Sequence, residues 1–207
     1  MSAPTPPEMK QVSRRVATVV NLVVQNASLA LTIVRGIVVV PIYLFFVERV
    51  HADLYDAWLA SGNIVSWIAF SEGGLSYLLR QQTAQFYGKG DRPELARVIG
   101  SGLAMTAALG LVAAAIGLAL SPLVPGWFNL DGPAGRQLVA AFACSIGAMA
   151  LGMVVGALRS VQQGFQRHGL IGGACLFNEA LSIVMSVVWL WQGWGVLAIG
   201  ASFLLRE

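Results

Sequence analysis

Long apolar runs alternate with short polar connections along the whole of this 207-residue chain. Five runs, at roughly 16–47, 57–79, 95–120, 137–158 and 170–191, have the length a helix needs to cross the hydrocarbon core, about 20 residues. The second is interrupted at Ser71–Gly74. The third opens on Gly90-Asp91-Arg92-Pro93-Glu94, where Pro93 suits a first helical turn and Glu94 favours its positive dipole end. A sixth run, Gly195–Leu205, covers about 16 Å at 1.5 Å per residue, against a core of roughly 30 Å. The pattern predicts an all-α polytopic membrane protein with a polar segment at 1–15 and a helical region at 16–207. The short sixth run leaves two expectations, a re-entrant last helix or, the favoured one, a chain that is the front part of a longer protein.

Polar residues inside the runs fall on faces. In the first run Thr18, Asn21, Gln25, Ser28, Thr32 and Arg35 are spaced by three or four, so they share one side of a helix. Such a stripe must face protein or a water-filled cavity, because unsatisfied polar groups are costly in lipid. Hydrogen bonding to neighbouring helices accounts for Ser28 and Thr32. Arg35, more than a turn from either end, is assigned to a cavity. In the fifth run Cys175, Glu179, Ser182 and Ser186 align, with Glu179 near the middle. Two readings of Glu179 stand: a proton or cation relay, or a neutral acid bonded to a neighbour. Glu72, Ser76 and Arg80 are spaced by four beside Gly73–Gly74, which either break the helix to line a site or let another helix approach. Ala148, Gly152 and Gly156 form a small-residue packing face that Arg159 and Gln163 continue.

Charge adds orientation. Basic residues cluster at Lys10, Arg14 and Arg15, at Arg80, Lys89, Arg92 and Arg97, and at Arg159 and Arg167. The connections between hold only Arg49 and Arg136. Lys and Arg stay on the cytoplasmic side, so the N-terminus is expected there, with five complete spans following. Trp127, Phe128, Trp191 and Trp194 fall near the opposite ends, as an aromatic belt would place them. Composition agrees: 57% hydrophobic and 11% charged, about half the charged share of a soluble domain. The formal charge of +3 follows membrane sidedness rather than a nucleic-acid footprint. The apolar run behind the N-terminus is far longer than a signal-peptide core of about 7–15 residues. Cys144 and Cys175 read as buried thiols. His51 and His168 lie on opposite expected sides, so no zinc site is expected, and no hydrolase, Walker or dinucleotide motif is present.

Several elements in order resemble one family. Pro41 falls late in the first helix, and Leu54-Tyr55-Asp56-Ala57-Trp58 follows in the outer loop. Ser71-Glu72-Gly73-Gly74, Gly90-Asp91-Arg92-Pro93-Glu94 and the Leu158–Arg167 loop come next. Together they resemble the polysaccharide-biosynthesis flippases of the MOP exporter superfamily, from about Arg14 onward. The chain departs from that pattern at Asp56, where glycine is common, and at Glu72, which displaces the usual Asp.

The resemblance implies the N-terminal six-helix lobe of a MOP-type, MATE-like transporter, its sixth helix truncated. It further implies export of lipid-linked oligosaccharide across the bacterial cytoplasmic (inner) membrane by alternating access, with no cofactor, metal, enzymatic step or nucleic acid. The partners would be a polyprenyl-pyrophosphate-linked oligosaccharide, membrane lipid, and a C-terminal lobe or second copy. Arg35, Arg80 and Arg159 would meet the pyrophosphate. Asn21, Gln25, Ser28, Thr32 and Gln163 would serve the sugar, and Glu72 and Glu179 a coupling cation. Hinges would lie at Pro41 and Gly73–Gly74. The competing readings are a cation-coupled multidrug or small-molecule antiporter of the same superfamily, a non-transporting membrane scaffold, and a membrane enzyme of polysaccharide assembly.

Overall fold

The computed structural model describes residues 52–70, 72, 74–165 and 168–206, with scattered positions between 19 and 45. Every element among the described residues is helical. The helices are α1 (Ala52–Phe70), α2 (Leu75–Lys89), α3 (Arg92–Leu120), the short α4 (Val124–Trp127), α5 (Gly132–Gly164), α6 (His168–Trp191) and α7 (Val196–Arg206). Among the described residues, three segments are long and apolar enough to cross a membrane: Arg92–Trp127, Gly132–Gly164 and Gly173–Trp191. Their outward faces carry exposed Met105, Leu111, Val112, Phe177 and Val184. Apolar surface of that extent is stable against lipid and a liability in water. The chain is thus an all-helical protein with the features of a membrane protein.

The 57–79 run is two helices, divided at the interruption the sequence places at Ser71–Gly74. α1 ends at Phe70, and Gly74 takes a left-handed conformation, φ 81°, before α2 starts. That conformation suits glycine alone among common residues. A Cβ at Gly74 would meet nothing within 4 Å, so this glycine turns the chain and does not admit a neighbouring helix. α3 starts as expected: the Asp91 side chain accepts from the Glu94 backbone N–H at 3.2 Å, and Pro93 occupies the first turn. α5 outruns the expected 137–158 at both ends. Its 33 residues extend about 50 Å, so it tilts or protrudes from a core of roughly 30 Å.

α5 is the hub of the bundle, and glycines let its neighbours approach. A methyl group at Gly110 of α3 would lie 3.1 Å from the Ala150 carbonyl oxygen, and one at Gly200 of α7 2.7 Å from that of Ala141. Contacts of this kind fix direction. α3 runs antiparallel to α5, pairing Gly110 with Ala150 and Gly117 with Ile146. α7 runs parallel to it, pairing Gly200 with Ala141 and Leu204 with Gly147. α2 is also parallel, pairing Ser76 with Gly156 and Thr83 with Gly164. α6 turns back on α7 through Gly193 and Gly195, both at positive φ. Gln137 secures this turn, its Nε2 donating to the Trp194 carbonyl at 2.6 Å.

Two cores result, at different depths. One, around Leu138, Phe142 and Ile146, gathers Leu54 of α1, Leu190 of α6 and Val196 of α7. It lies toward the end that carries Trp127, Trp191 and Trp194. The other joins Leu79 to Ala157 and Val161, toward the end that carries Arg80, Lys89, Arg92 and Arg97.

Candidate functional site

Between the two cores, near the midpoint of α5, lies a cavity of about 520 Å³. Its position follows from the side chains available there. α5 offers Ser145, Ala148 and Gly152, too small to fill the space to the neighbouring helices. Met149 and Met153, flexible and polarizable, line the same region. Of the expected small-residue packing face of α5, Ala148 and Gly152 border the cavity, and Gly156 faces α2, 3.8 Å from Ser76 Oγ for an added Cβ.

Among the described residues, two charged side chains border this space, Glu72 and Arg206. Glu72 sits in the turn between α1 and α2 and not on a helix. The Ser76 hydroxyl donates to its Oε1, so the break fixes the carboxylate in place. Arg206 ends α7, with its guanidinium 5.4 Å from the centre of the Phe203 ring. Phe203 in turn stacks on Trp58 of α1 at 6.1 Å and 16°. Leu204 lies level with Gly147, so Arg206 reaches roughly the depth of Met149, near the middle of α5. A carboxylate, a guanidinium and an aromatic pair thus surround one mid-depth volume. Their chemistry can accept hydroxyl or ammonium groups, donate in a planar fork to oxyanions, and stack against a flat face.

The other described residues singled out from sequence are not among those that border the cavity. Arg80 Nη1 donates to Gln163 Oε1 at 3.1 Å, linking α2 and α5 at the basic end. Arg80 also stacks on Tyr77, 5.1 Å from the ring centre. The Glu72–Ser76–Arg80 series therefore divides: Ser76 turns to Glu72, Arg80 to Gln163. Gln163 lies about 15 Å from Met153 along α5, at 1.5 Å per residue. Arg159 is half-buried on the same helix and does not border the cavity. Glu179 is only 6% exposed, aligned with buried Ser182 and Ser186 as the spacing required, and it too lies outside the cavity lining. Asn21, Gln25, Ser28, Thr32 and Arg35 lie outside the described residues. Among the described residues no group of His, Cys, Asp or Glu side chains could hold a metal ion.

Sequence reasoning missed Arg206, Trp58 and Phe203. Arg206 passed as the end of a short run. Its signal was a guanidinium ten residues into an apolar helix, beyond Phe203 by one turn. No family model matches the chain, and no curated protein or solved structure matches it at a significant level.

Proposed function

We propose that the chain is the N-terminal lobe of an exporter of the MOP type, moving lipid-linked oligosaccharide across the bacterial cytoplasmic membrane. The observation that carries this reading is the mid-depth cavity bordered by Glu72 and Arg206. Charged groups within the hydrocarbon region are costly and mark substrate or ion pathways. A scaffold has no use for them. In this reading the first run crosses the membrane as well, the basic end faces the cytoplasm, and the helices form a six-helix lobe that rocks against a second lobe or copy. The Glu72–Gly74 break supplies the hinge, Arg80, Arg159 and Gln163 line the route at its cytoplasmic side, and Arg35 faces the central cavity within the membrane.

A second reading is a cation-coupled antiporter of the same superfamily. It is favoured by one observation, the carboxylate of Glu72 beside the Trp58–Phe203 pair, which suits an organic cation. The test between exporter and non-exporter is made in the host. Loss of the gene should hold lipid-linked oligosaccharide in the inner leaflet, and an unchanged leaflet distribution would refute export.

A further inference from the structure

We infer that the tip of the α2–α3 hairpin is a docking surface for acidic phospholipid, with Lys89 and Arg92 meeting the headgroup phosphate beside Tyr87. The inference needs the chain to cross a membrane and does not depend on what it moves. Reach is the first observation. Thr83 of α2 lies against Gly164 at the end of α5, where an added Cβ would fall 2.7 Å from the Thr83 Cβ. The residues Ala84–Lys89 therefore continue about 9 Å past α5. From the first residue of α5 to Lys89 the bundle then measures about 59 Å, against roughly 40–45 Å for a bilayer with its headgroups. A tilt of about 40°, the upper end of the usual range, still leaves about 45 Å. The hairpin tip thus lies at or just past the headgroup layer, within reach of long basic side chains.

Charge is the second. Lys89, Arg92 and Arg97 are all exposed. Arg97 pairs with Glu94 at 3.4 Å, and the Asp91 carboxylate accepts from the Glu94 backbone N–H. Among the described residues neither Lys89 nor Arg92 is paired with a carboxylate. Lys89 suits the last turn of α2, but Arg92 stands in the first turn of α3, where its charge opposes the positive end of the helix dipole. Arg92 therefore does not serve α3, and an anion from outside the fold gives it a use. Geometry is the third. Gly90, at φ 72°, closes the hairpin, with its N–H donating to the Tyr87 carbonyl and that of Asp91 to the Phe86 carbonyl, each at 3.2 Å. The two cations flank this turn, and Lys89 Nζ lies 5.6 Å from the centre of the Phe86 ring. The fourth is Tyr87, 57% exposed, with its ring held edge-on to Phe165 at 5.1 Å. An exposed tyrosine fixed beside basic residues suits the membrane–water interface. Nucleic acid calls for a denser basic stripe, whereas acidic lipid lies at this level of a membrane and complements the charge. Each basic residue at such a surface strengthens attachment about fivefold, so the pair supplies about 25-fold.

The test is native mass spectrometry of the full chain in detergent, titrated with dioleoyl phosphatidylglycerol and with dioleoyl phosphatidylcholine, whose chains match. Phosphatidylglycerol should bind at least tenfold tighter, and the preference should shrink when the ammonium acetate concentration is raised fourfold. The double variant Lys89→Gln/Arg92→Gln should bring the two lipids within threefold of each other. Arg92→Lys should keep most of the preference, and Arg136→Gln, which removes an exposed charge at the opposite end, should keep all of it. Retained helical circular dichroism and a single size-exclusion peak qualify each variant, and both tip residues are exposed, so folding does not depend on them. Three results would overturn the inference: equal affinity for the two lipids, a preference that the double variant leaves intact, or one that Arg136→Gln removes as fully. Displacement of the lipid by free glycerol 1-phosphate at equal concentration would overturn it in favour of a soluble phosphate ester. A glutamate-rich peptide that binds with the same dependence on Lys89 and Arg92, where neither lipid is preferred, would overturn it in favour of an acidic protein. None of these results bears on export, which is read separately in the host.

Discussion

Replacing Gly200 with alanine places a methyl group 2.7 Å from the Ala141 carbonyl oxygen, where ordinary contact begins near 3.4 Å. The opposing atoms are backbone, so no side chain can swing aside, and α7 must withdraw from α5 by roughly 0.7 Å. Overpacking of this kind costs about 1–3 kcal/mol. Alanine's better helix propensity returns about 1 kcal/mol, which obscures the loss in a single variant. Gly100→Ala supplies the comparison. Gly100 lies within α3 and a Cβ there meets nothing within 4 Å, so the propensity gain acts alone. The difference between the two variants is then the overpacking cost, about 2 kcal/mol or some 30-fold in the unfolding equilibrium. For a chain of this size that separates the melting points by about 4–8 °C. The half-buried Cys144 and Cys175 allow the assay, since a thiol-reactive dye in detergent reports their release on heating. A Gly200→Ala protein that melts level with or above Gly100→Ala would refute the α5–α7 approach, and with it the placement of Phe203 and Arg206.

Other outcomes follow from the same account. Arg80→Ala breaks an exposed contact to Gln163, so a double-mutant cycle on the pair should give a coupling of less than about 1 kcal/mol, measured by reversible unfolding in detergent. With Cys144 and Cys175 replaced by alanine, a cysteine at Gly90 should resist an impermeant thiol reagent added outside, while one at Asp131 should react; the reverse result would invert the orientation. Arg35→Gln should abolish export at normal expression and Arg35→Lys leave intermediate activity. Recovery on adding Glu179→Gln would show instead that Arg35 belongs to a structural ion pair.

Which features the sequence revealed depended on whether their cause was local. Apolar length located the three crossing segments, and capping chemistry at Asp91–Glu94 located the start of α3. The polar spacing around Glu179 foretold a buried face because helical periodicity is itself local. The cavity was not legible in the same way. Its position depends on what stands opposite Ala148 and Gly152, and a small residue signals close packing or a void equally well until its neighbours are known. Arg206 and Glu72 border the same cavity across a sequence separation of 134 residues, which no local pattern reveals. For Gly74 backbone conformation decides between a turn and a packing role, through a positive φ that composition cannot reveal; Gly73 lies outside the described residues.

Export itself is tested most directly by the leaflet sidedness of lipid-linked oligosaccharide in host cells lacking the gene. A hydrolase that cannot cross the membrane is added to spheroplasts, and the cleaved fraction of the pool is measured. The account predicts a pool that is largely protected in the deletion strain and accessible once the wild-type gene is restored. Restoration with Arg206→Gln should leave the pool protected. An accessible pool in the deletion strain, equal to that with the wild-type gene, would contradict the assignment of this protein to export.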